Sequence, residues 1–184
     1  MLAFLGDELT LKESVEEICA EAKGHGVCEA VNFNTPGQII ISGEVPAIEK
    51  AKSLAKTKKI RALPLNVSGA FHSSLMNEAA EKMAEEVRKY VFGRPRFPVV
   101  TNCDAAVTSD VASLLWKLPK QINSPVLWND SVRKIIAEGV GAFVELGPKN
   151  ALSGMVKKIE PSAKTHNVEN EETLNHTLEG LKNV

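Results

Sequence analysis

Apolar and polar positions in the first 67 residues alternate between short strand-like runs and longer helix-like runs. Runs rich in β-branched and other apolar residues predict four strands, because strands favour such side chains. These runs lie at 1–6, 27–33, 38–43 and 59–67. Apolar residues three and four positions apart predict a helix after the first strand and another after the third. The first helix follows Thr10 and Glu13, which have capping-box spacing, and the second has Pro46 in its first turn.

In the rest of the chain the apolar pattern is different, and predicted helices outnumber predicted strands. Helices are predicted from Ser73 or Ser74 to Tyr90, and at 109–118, 125–138, 150–158 and 171–181. Short apolar runs predict strands at 97–101, 142–146 and 164–168. Because these strands alternate with helices, we expect them to pair in parallel. Three short strands form only part of a sheet.

Together these patterns predict an α/β fold in two parts. Residues 1–68 follow the order β-α-β-β-α-β of a ferredoxin-like unit, and residues 69–184 form a partial α/β core. Many unrelated proteins contain a ferredoxin-like unit, so this prediction concerns the fold and leaves the function open. Function has to be inferred from the residues that carry chemistry.

The composition excludes several classes of protein. Of the 184 residues, 43% are hydrophobic and 24% are charged, which is typical of a folded globular chain. The 22 basic and 23 acidic residues give a net charge of −1, so the chain lacks the basic excess that binds nucleic acid phosphates or acidic membranes. No apolar run approaches the ~20 residues of a membrane span. We therefore expect neither a nucleic acid nor a membrane as a partner.

The three cysteines indicate a reducing compartment, because their number is odd and their spacing fits no disulfide framework. Cys19, His25 and Cys28 lie close together in sequence, but no C-x-x-C pair is present and Cys103 is far away. We therefore interpret the cysteines as ordinary thiols and predict no metal site. The N-terminal residues contain no basic leader, which also favours a cytoplasmic location.

His72 is the residue whose position most favours a catalytic role. It follows a predicted strand and Gly69 and precedes a predicted helix, and such junctions often carry the reactive groups of α/β proteins. Imidazole also transfers protons readily near neutral pH. The alternative is that His72 merely precedes the helix. No serine lies in a G-x-S-x-G motif, and Ser73 and Ser74 are predicted to cap the helix, so the pattern offers a base without a nucleophile.

Several motifs follow one another in a fixed order along the chain. The longest are NFNTPGQIIISG at 32–43 and VSGAFHSSLM at 67–76. The others are Arg61–Leu65, Pro98–Asp104, Gln121–Trp128 and Val144–Lys149. In order and spacing they resemble the malonyl-CoA:acyl-carrier-protein transacylases of bacterial fatty acid synthesis, over nearly the whole chain. Where that family has a glycine-proline-glycine turn, this chain has Gly147-Pro148-Lys149.

This resemblance implies a fold and a mechanism. The family has an α/β-hydrolase-like core with an inserted ferredoxin-like subdomain, of which this chain matches the C-terminal part. Its reaction is ping-pong: a serine in a G-H-S-x-G elbow takes malonyl from coenzyme A and passes it to the phosphopantetheine thiol of acyl carrier protein. His72 matches the catalytic base, and Gln121 matches the residue whose main-chain carbonyl accepts the other imidazole N–H. No cofactor is implied, because the coenzyme A thioester is the substrate.

The resemblance also implies residues that contact the substrates. Asn32, Asn34 and Arg61 match positions that line the coenzyme A or pantetheine side. Phe71 matches a position whose bulk favours small malonyl-type acyl groups. The implied partners are malonyl-CoA and acyl carrier protein.

The family's nucleophile lies outside the matched motifs. Its elbow serine, its oxyanion hole and the arginine that binds the malonyl carboxylate all precede them, and Met1–Gly6 resembles the first strand of the inserted subdomain. We therefore expect the chain to be inactive by itself, and to require an N-terminal complementing segment or to associate with itself through exposed apolar faces. The alternative is a non-catalytic ferredoxin-like module that docks acyl carrier protein or another protein.

Overall fold

The computed structural model describes residues 1–182, which fall into two compact units. The first unit is Met1–Ser131 and the second is Val132–Val184, with the boundary inside one helix. The domain boundary that the sequence suggests, between residues 68 and 69, stays a prediction. The chain is a mixed α/β protein, as expected.

The first unit begins with six elements in the predicted β-α-β-β-α-β order. They are β1 (Leu2–Leu5), α1 (Leu11–Ala22), β2 (Cys28–Thr35), β3 (Gln38–Gly43), α2 (Val45–Thr57) and β4 (Arg61–Pro64). The strands form one antiparallel sheet in the order β2-β3-β1-β4. Phe4 on β1 lies opposite Ile39 on β3 and Ala62 on β4, so β1 and β3 are the central strands.

The core of this sheet follows from the sequence pattern. Leu2, Phe4, Ile39 and Ile41 belong to one buried cluster, because side chains alternate between the two faces of a strand. The apolar stripe of α1 and the alanines of α2 pack in the same cluster. Complete burial of a side chain such as Phe4 stabilises the fold by roughly 1.5–3 kcal/mol.

Two details of this part differ from the sequence predictions. β4 ends at Pro64 and not at residue 67, because the chain turns there and the Val67 N–H donates to the carbonyl oxygen of Leu65. Thr10 is the N-cap of α1, but its side chain makes no capping bond because its own backbone is already helical. The carbonyl oxygen of Asp7 accepts the first N–H groups instead.

Residues 65–131 add helices and a hairpin to the first unit. A 3₁₀ turn at Ser74–Met76 precedes the remaining elements, which are α3 (Asn77–Val87), β5 (Val99–Val100), β6 (Val107–Thr108), α4 (Val111–Asn123) and the start of α5 (Trp128–Ala137). β5 pairs with β6 in an antiparallel hairpin, so the expectation of parallel pairing is wrong for this strand. The chain reverses within a few residues, and so short a connection permits only antiparallel neighbours.

The helices of this segment have other bounds than predicted, and α5 begins at Trp128 where the sequence predicts a start at 125. The helix expected from Ser73 or Ser74 to Tyr90 is a 3₁₀ turn followed by α3, which ends at Val87. The helix predicted to stop at residue 118 continues through Pro119 to Asn123. A proline removes one backbone hydrogen bond from a helix, and here that loss does not end the helix.

The second unit contains a small parallel sheet. After the end of α5 it consists of β7 (Ala142–Leu146), α6 (Ala151–Ile159), β8 (Lys164–Val168) and α7 (Glu171–Leu181). β7 and β8 pair in parallel as predicted, with α6 as the crossover between them. The Glu145 carboxylate caps α6 by accepting the N–H groups of Leu152 (3.1 Å) and Ser153 (2.8 Å). Within residues 1–182, no helix has the length and apolar character needed to cross a membrane.

Candidate active site

His72 lies in the loop between β4 and the 3₁₀ turn. Its backbone φ is 63°, in the left-handed region that residues with side chains rarely adopt. Such a conformation costs of order 1–3 kcal/mol and persists only where neighbouring bonds hold it. The His72 N–H donates to the carbonyl oxygen of Ile122 near the end of α4 (3.1 Å). The Ser73 hydroxyl closes the loop by donating to the carbonyl oxygen of Ala70 (2.6 Å).

The His72 ring is held by the main chain of α4. Its Nδ1 lies 2.8 Å from the carbonyl oxygen of Gln121. A carbonyl oxygen can only accept a hydrogen bond, so Nδ1 carries the proton in this contact. The neutral ring then has its lone pair on Nε2, for which the described residues supply no hydrogen-bond partner. A fixed Nδ1–H with a free Nε2 is the arrangement of a general base.

The two serines after His72 do not cap the following helix as predicted. Ser73 is fully buried and its hydroxyl bonds back to Ala70, so it is not available as a cap. Ser74 directs both its N–H (2.8 Å) and its hydroxyl (2.7 Å) to the carboxylate of Glu29 on β2. Neither hydroxyl contacts the His72 ring in the described structure. Glu29 is absent from the sequence predictions, because 45 residues separate it from Ser74 and no local pattern connects them.

The predicted coenzyme A residues lie at two edges of the four-stranded sheet. Asn32 and Asn34 are on β2 at one edge, and Arg61 begins β4 at the other. Three strand spacings separate these edges, about 14 Å in total. The buried Asn34 amide donates to Oε1 of Gln38 (3.0 Å). A single ligand can therefore contact both edges only if it is extended.

Phe71 is the predicted specificity residue and directly precedes His72. Its side chain is 41% exposed and its ring lies close to the backbone of Gly69. Among the residues predicted for the site, only His72 and Gln121 share a hydrogen bond in the described structure. The catalytic and binding roles of all these residues stay predictions.

A polar network beside α4 was not foreseen from the sequence. Nζ of Lys117 lies 2.8 Å from Oδ2 of Asp104, and the Asp104 carboxylate also accepts the Thr101 hydroxyl and the Ala106 N–H. Burial acts to raise the pKa of Asp104, but these hydrogen bonds and the Lys117 charge outweigh it and hold that pKa below its usual range. The network fixes the turn between β5 and β6. The three-residue spacing of Thr101 and Asp104 is the one local signal for it.

The cysteines do not form a metal site with His25. Sγ of Cys19 and Sγ of Cys28 are 3.9 Å apart and both residues are buried, whereas His25 is exposed. The contact with Cys28 and burial raise the pKa of the Cys19 thiol. Residues 1–182 contain no group of three or more histidine, cysteine, aspartate or glutamate side chains that could hold a metal ion.

Two concavities flank α4 within the first unit. A groove of about 770 Å³ lies between α3 and α4, with Trp116 and Lys120 in its lining. A smaller, mostly apolar cavity of about 270 Å³ is lined by Val100, Leu118 and Gln121, among others. The smaller cavity therefore borders the residue that holds the His72 ring.

Comparisons with known proteins confirm the resemblance that the motifs suggest. The family model for the acyl transferase domain matches residues 2–177. The malonyl CoA-acyl carrier protein transacylase of Bacillus subtilis (strain 168) is 41% identical over 184 residues, which cover 99% of this chain. The crystal structure of the malonyl CoA-acyl carrier protein transacylase from Clostridium perfringens matches 99% of this chain with a TM-score of 0.93 and 37% identity.

A third similar structure contains a carrier protein. It is the complex PlMCAT:AntF, a holo type II PKS acyl-carrier protein with its malonyl-transacylase, and it matches 97% of this chain with a TM-score of 0.91 and 35% identity. The chain spans 57% of the Bacillus subtilis relative and 57% of each of the two structures. The similarity therefore concerns somewhat more than half of those proteins, and the matched part includes the His72 loop and α4.

Proposed function

The chain belongs to the acyl transferase domain family, and from this premise we propose that it takes part in malonyl transfer from coenzyme A to acyl carrier protein in fatty acid biosynthesis. The similar proteins are malonyl CoA-acyl carrier protein transacylases, which supports malonyl as the transferred group. Because the chain spans only 57% of those proteins, its proposed contribution is the histidine half of the active site.

The observation that carries the proposal is the hydrogen bond between His72 and Gln121. The carbonyl oxygen of Gln121, 2.8 Å from Nδ1, selects the tautomer with a free lone pair on Nε2. In catalytic triads a carboxylate has this orienting role, and a main-chain carbonyl serves the same purpose without adding charge. His72 is therefore the proposed general base and Gln121 is the proposed orienting residue.

The proposed reaction has two half-steps. First, Nε2 of His72 takes the proton of a serine hydroxyl while the serine oxygen attacks the thioester carbonyl of malonyl-CoA; the C–S bond breaks and the imidazolium protonates the departing coenzyme A thiolate. Then His72 takes the proton of the phosphopantetheine thiol, whose sulfur attacks the malonyl-serine ester, and returns it to the serine oxygen. Each proton taken up is given back, so the cycle consumes only malonyl-CoA and acyl carrier protein.

The serine of this scheme is not one of the two beside His72. The Ser73 hydroxyl is bonded to Ala70 and the Ser74 hydroxyl to Glu29. We propose that the nucleophile lies in a G-H-S-x-G elbow outside these 184 residues, and that the 184 residues alone do not transfer malonyl. Disabling the nucleophile of such a catalytic unit typically lowers the rate by ~10⁴–10⁶.

The proposed substrate contacts follow the two edges of the sheet. Asn32 and Asn34 at one edge and Arg61 at the other are assigned to coenzyme A and the pantetheine arm, which are extended molecules. Phe71, beside His72, is assigned to selection of small acyl groups. We further propose that the βαββαβ sheet is a ferredoxin-like insertion into an α/β-hydrolase-like core, and that the protein works in the cytoplasm.

The proposed protein partner is acyl carrier protein. The similar structure PlMCAT:AntF is a complex of such a carrier with its malonyl-transacylase. The alternative function is non-catalytic: the chain docks acyl carrier protein and takes no part in malonyl transfer. The two differ in whether His72 is needed for turnover, because docking does not require a base.

The decisive experiment supplies the part of the Bacillus subtilis relative that this chain does not match. That part is joined ahead of Met1 to give a hybrid chain, and both the hybrid and the 184-residue chain are incubated with malonyl-CoA and holo acyl carrier protein. Intact mass spectrometry follows malonyl on each protein. We expect no adduct on the 184-residue chain, and on the hybrid a malonyl adduct that moves to the carrier.

Two variants of the hybrid complete the test. His72→Ala is expected to lower transfer by at least about 10³-fold, because the nucleophile loses its base. His25→Ala, which removes an exposed histidine, is the matched control and is expected to transfer at the unmodified rate. Full turnover in the His72→Ala hybrid removes His72 from the mechanism. A transferable adduct on the 184-residue chain contradicts the proposed external nucleophile, and carrier binding without any adduct on the hybrid favours the docking module.

A further inference from the structure

Three segments of the first unit meet around His72. The loop that contains His72 is one, the end of α4 with Gln121 and Ile122 is the second, and β2 is the third. The first two contact each other through the His72 N–H and the His72 ring. The left-handed backbone of His72 is intrinsically disfavoured, so the position of its ring depends on bonds that come from outside the loop.

Glu29 on β2 holds the loop that carries His72, the residue that donates the hydrogen bond to Gln121. Its Oε2 accepts the N–H of Ser74 at 2.8 Å and its Oε1 accepts the hydroxyl of Ser74 at 2.7 Å. Both oxygens of one half-buried carboxylate are thus used on a residue two positions after His72. Hydrogen bonds to a charged acceptor are stronger than neutral ones, which makes this a firm attachment between the loop and the sheet.

β2 also holds the segment that follows Gln121, the residue that accepts the hydrogen bond from the His72 ring. The N–H of Val126 donates to the carbonyl oxygen of Val31 at 2.8 Å, and the N–H of Phe33 donates to the carbonyl oxygen of Val126 at 2.9 Å. Val126 follows Gln121 by five residues, just after the end of α4. β2 therefore connects to both partners of the bond between His72 and Gln121, through Glu29 on one side and through Val31 and Phe33 on the other.

We propose that Glu29 is a positioning residue that fixes the His72 imidazole against the Gln121 carbonyl. Without its carboxylate, the loop keeps its bonds to α4 but loses its attachment to the strand that holds the other side of the contact. The imidazole then samples orientations in which Nδ1 is not bonded to Gln121, and the tautomer with a free Nε2 is no longer favoured. The importance of Glu29 for catalysis rests on the proposed function, whereas its effect on the ring does not.

The experiment measures the His72 ring directly in the 184-residue chain. Nitrogen-15 NMR of the labelled chain gives the share of neutral His72 rings protonated at Nδ1 and the solvent exchange rate of that proton. In Glu29→Ala we expect the Nδ1–H share to fall and the exchange rate to rise about tenfold, the factor that corresponds to losing a hydrogen bond to a charged group. In Glu29→Gln, whose amide oxygen still accepts one bond, we expect an intermediate value.

Glu145→Ala is the matched control, because the Glu145 carboxylate is also half-buried and also accepts two hydrogen bonds, here from the N–H groups of Leu152 and Ser153. It is expected to leave the His72 ring unchanged. If Glu29→Ala merely lowers the free energy of unfolding and its His72 signals stay those of Glu145→Ala, the positioning role is wrong. Should Glu29→Ala fail to fold, Ser74→Ala and Glu29→Gln decide the question, since each removes only part of the attachment; unchanged His72 signals in both overturn the proposal.

The effect of Glu29 on catalysis is measured by the kinetics of the hybrid chain described above. Because Glu29 is not assigned to a substrate, Glu29→Ala in the hybrid is expected to lower kcat about tenfold and to leave KM unchanged, with partial rescue in Glu29→Gln. A rise in KM with unchanged kcat contradicts a positioning role. If the unmodified hybrid is inactive, the proposed function fails while the NMR result still decides the role of Glu29.

Discussion

The four-stranded sheet of residues 1–64 and the two-stranded sheet of the second unit have similar apolar strand sequences but different surroundings. Ile39 and Ile41 on β3 are 3% and 0% exposed, whereas Val144 and Leu146 on β7 are 40% and 78% exposed. β3 lies between two strands in its sheet, while in the described chain β7 pairs with β8 alone. An apolar strand therefore does not create a core by itself; burial depends on how many elements the same stretch of chain brings to it.

The difference reflects where the partners of each strand lie in the sequence. All six elements that build and cover the first sheet occur within 64 consecutive residues. Beyond them, large apolar side chains are frequently exposed, for example Tyr90 (61%), Phe97 (72%) and Trp116 (64%). The later segment also contains polar contacts, such as the ion pair of Lys117 and Asp104. The comparison therefore separates a sheet with a closed apolar core from a segment in which many large apolar side chains stay exposed.

The largest expected effect is the loss of a core side chain. Phe4→Ala is expected to lower the free energy of unfolding by about 3–5 kcal/mol, because Phe4 is fully buried and its removal leaves a cavity. Leu146→Ala is the counterpart on β7 and is expected to change the free energy of unfolding by less than about 0.5 kcal/mol. Urea denaturation followed by circular dichroism measures both. Equal losses in the two variants contradict the proposed contrast between the sheets.

A smaller effect is expected on self-association. If the exposed apolar surface of β7 drives association, Leu146→Lys weakens it by about tenfold, the loss expected when one leucine is no longer buried in the contact. Leu9→Lys is the control, since Leu9 is an isolated exposed residue in the loop before α1 (88%). Light scattering over a concentration series measures the association. A monodisperse monomer of the unmodified chain at high concentration rules out this association.

The smallest expected effect concerns the ion pair beside α4. Lys117→Met is expected to lower the free energy of unfolding by less than about 1 kcal/mol at pH 7, because the Asp104 side chain is 39% exposed and solvent screens the pair. Since the folded pKa of Asp104 is lowered, the stabilisation is complete above the ordinary pKa of about 4 and is lost as the pH falls through the folded value.

Urea denaturation of the Lys117→Met variant at pH 7, 5 and 3 measures that dependence. The difference from the unmodified chain is expected to shrink at pH 3, while the loss in Phe4→Ala stays the same because no charge is involved. Lys82→Met removes a largely exposed pair with Glu78 and is the control, with a change of about 0.5 kcal/mol or less. A Lys117→Met difference that is constant with pH assigns the stabilisation to packing of the lysine stem.

The sequence predicted the first sheet better than the later segment, for a physical reason. β-Branched runs such as Gln38–Gly43 and the apolar stripe of α1 pack against each other within a short stretch of the chain. The local apolar pattern therefore agrees with the burial seen in the structure. In the later segment β6, the antiparallel partner of β5, is only two residues long, and a strand that short has no sequence pattern from which to predict it. The continuation of α4 through Pro119 likewise contradicts a local rule that predicts an end at proline.

The candidate site divides in the same way. The sequence pointed to His72 through its junction between strand and helix, and the resemblance pointed to Gln121, 49 residues away. The attachment of Ser74 to Glu29 had no local signal, because its two residues meet only when the loop packs on β2. The prediction that Ser73 and Ser74 cap the following helix is wrong for the same reason, because their hydroxyls bond to Ala70 and Glu29.

By itself, then, the sequence determined the mixed α/β class, the β-α-β-β-α-β order and the family, since these depend on local periodicity and on motifs that can be read in order. Only the tertiary structure decided which carbonyl holds the His72 ring, which carboxylate holds its loop, and which apolar strands are buried. The hydrogen bonds that join the His72 ring to Gln121 and Ser74 to Glu29 connect residues more than 40 positions apart, and their partners are set by packing and not by neighbouring residues.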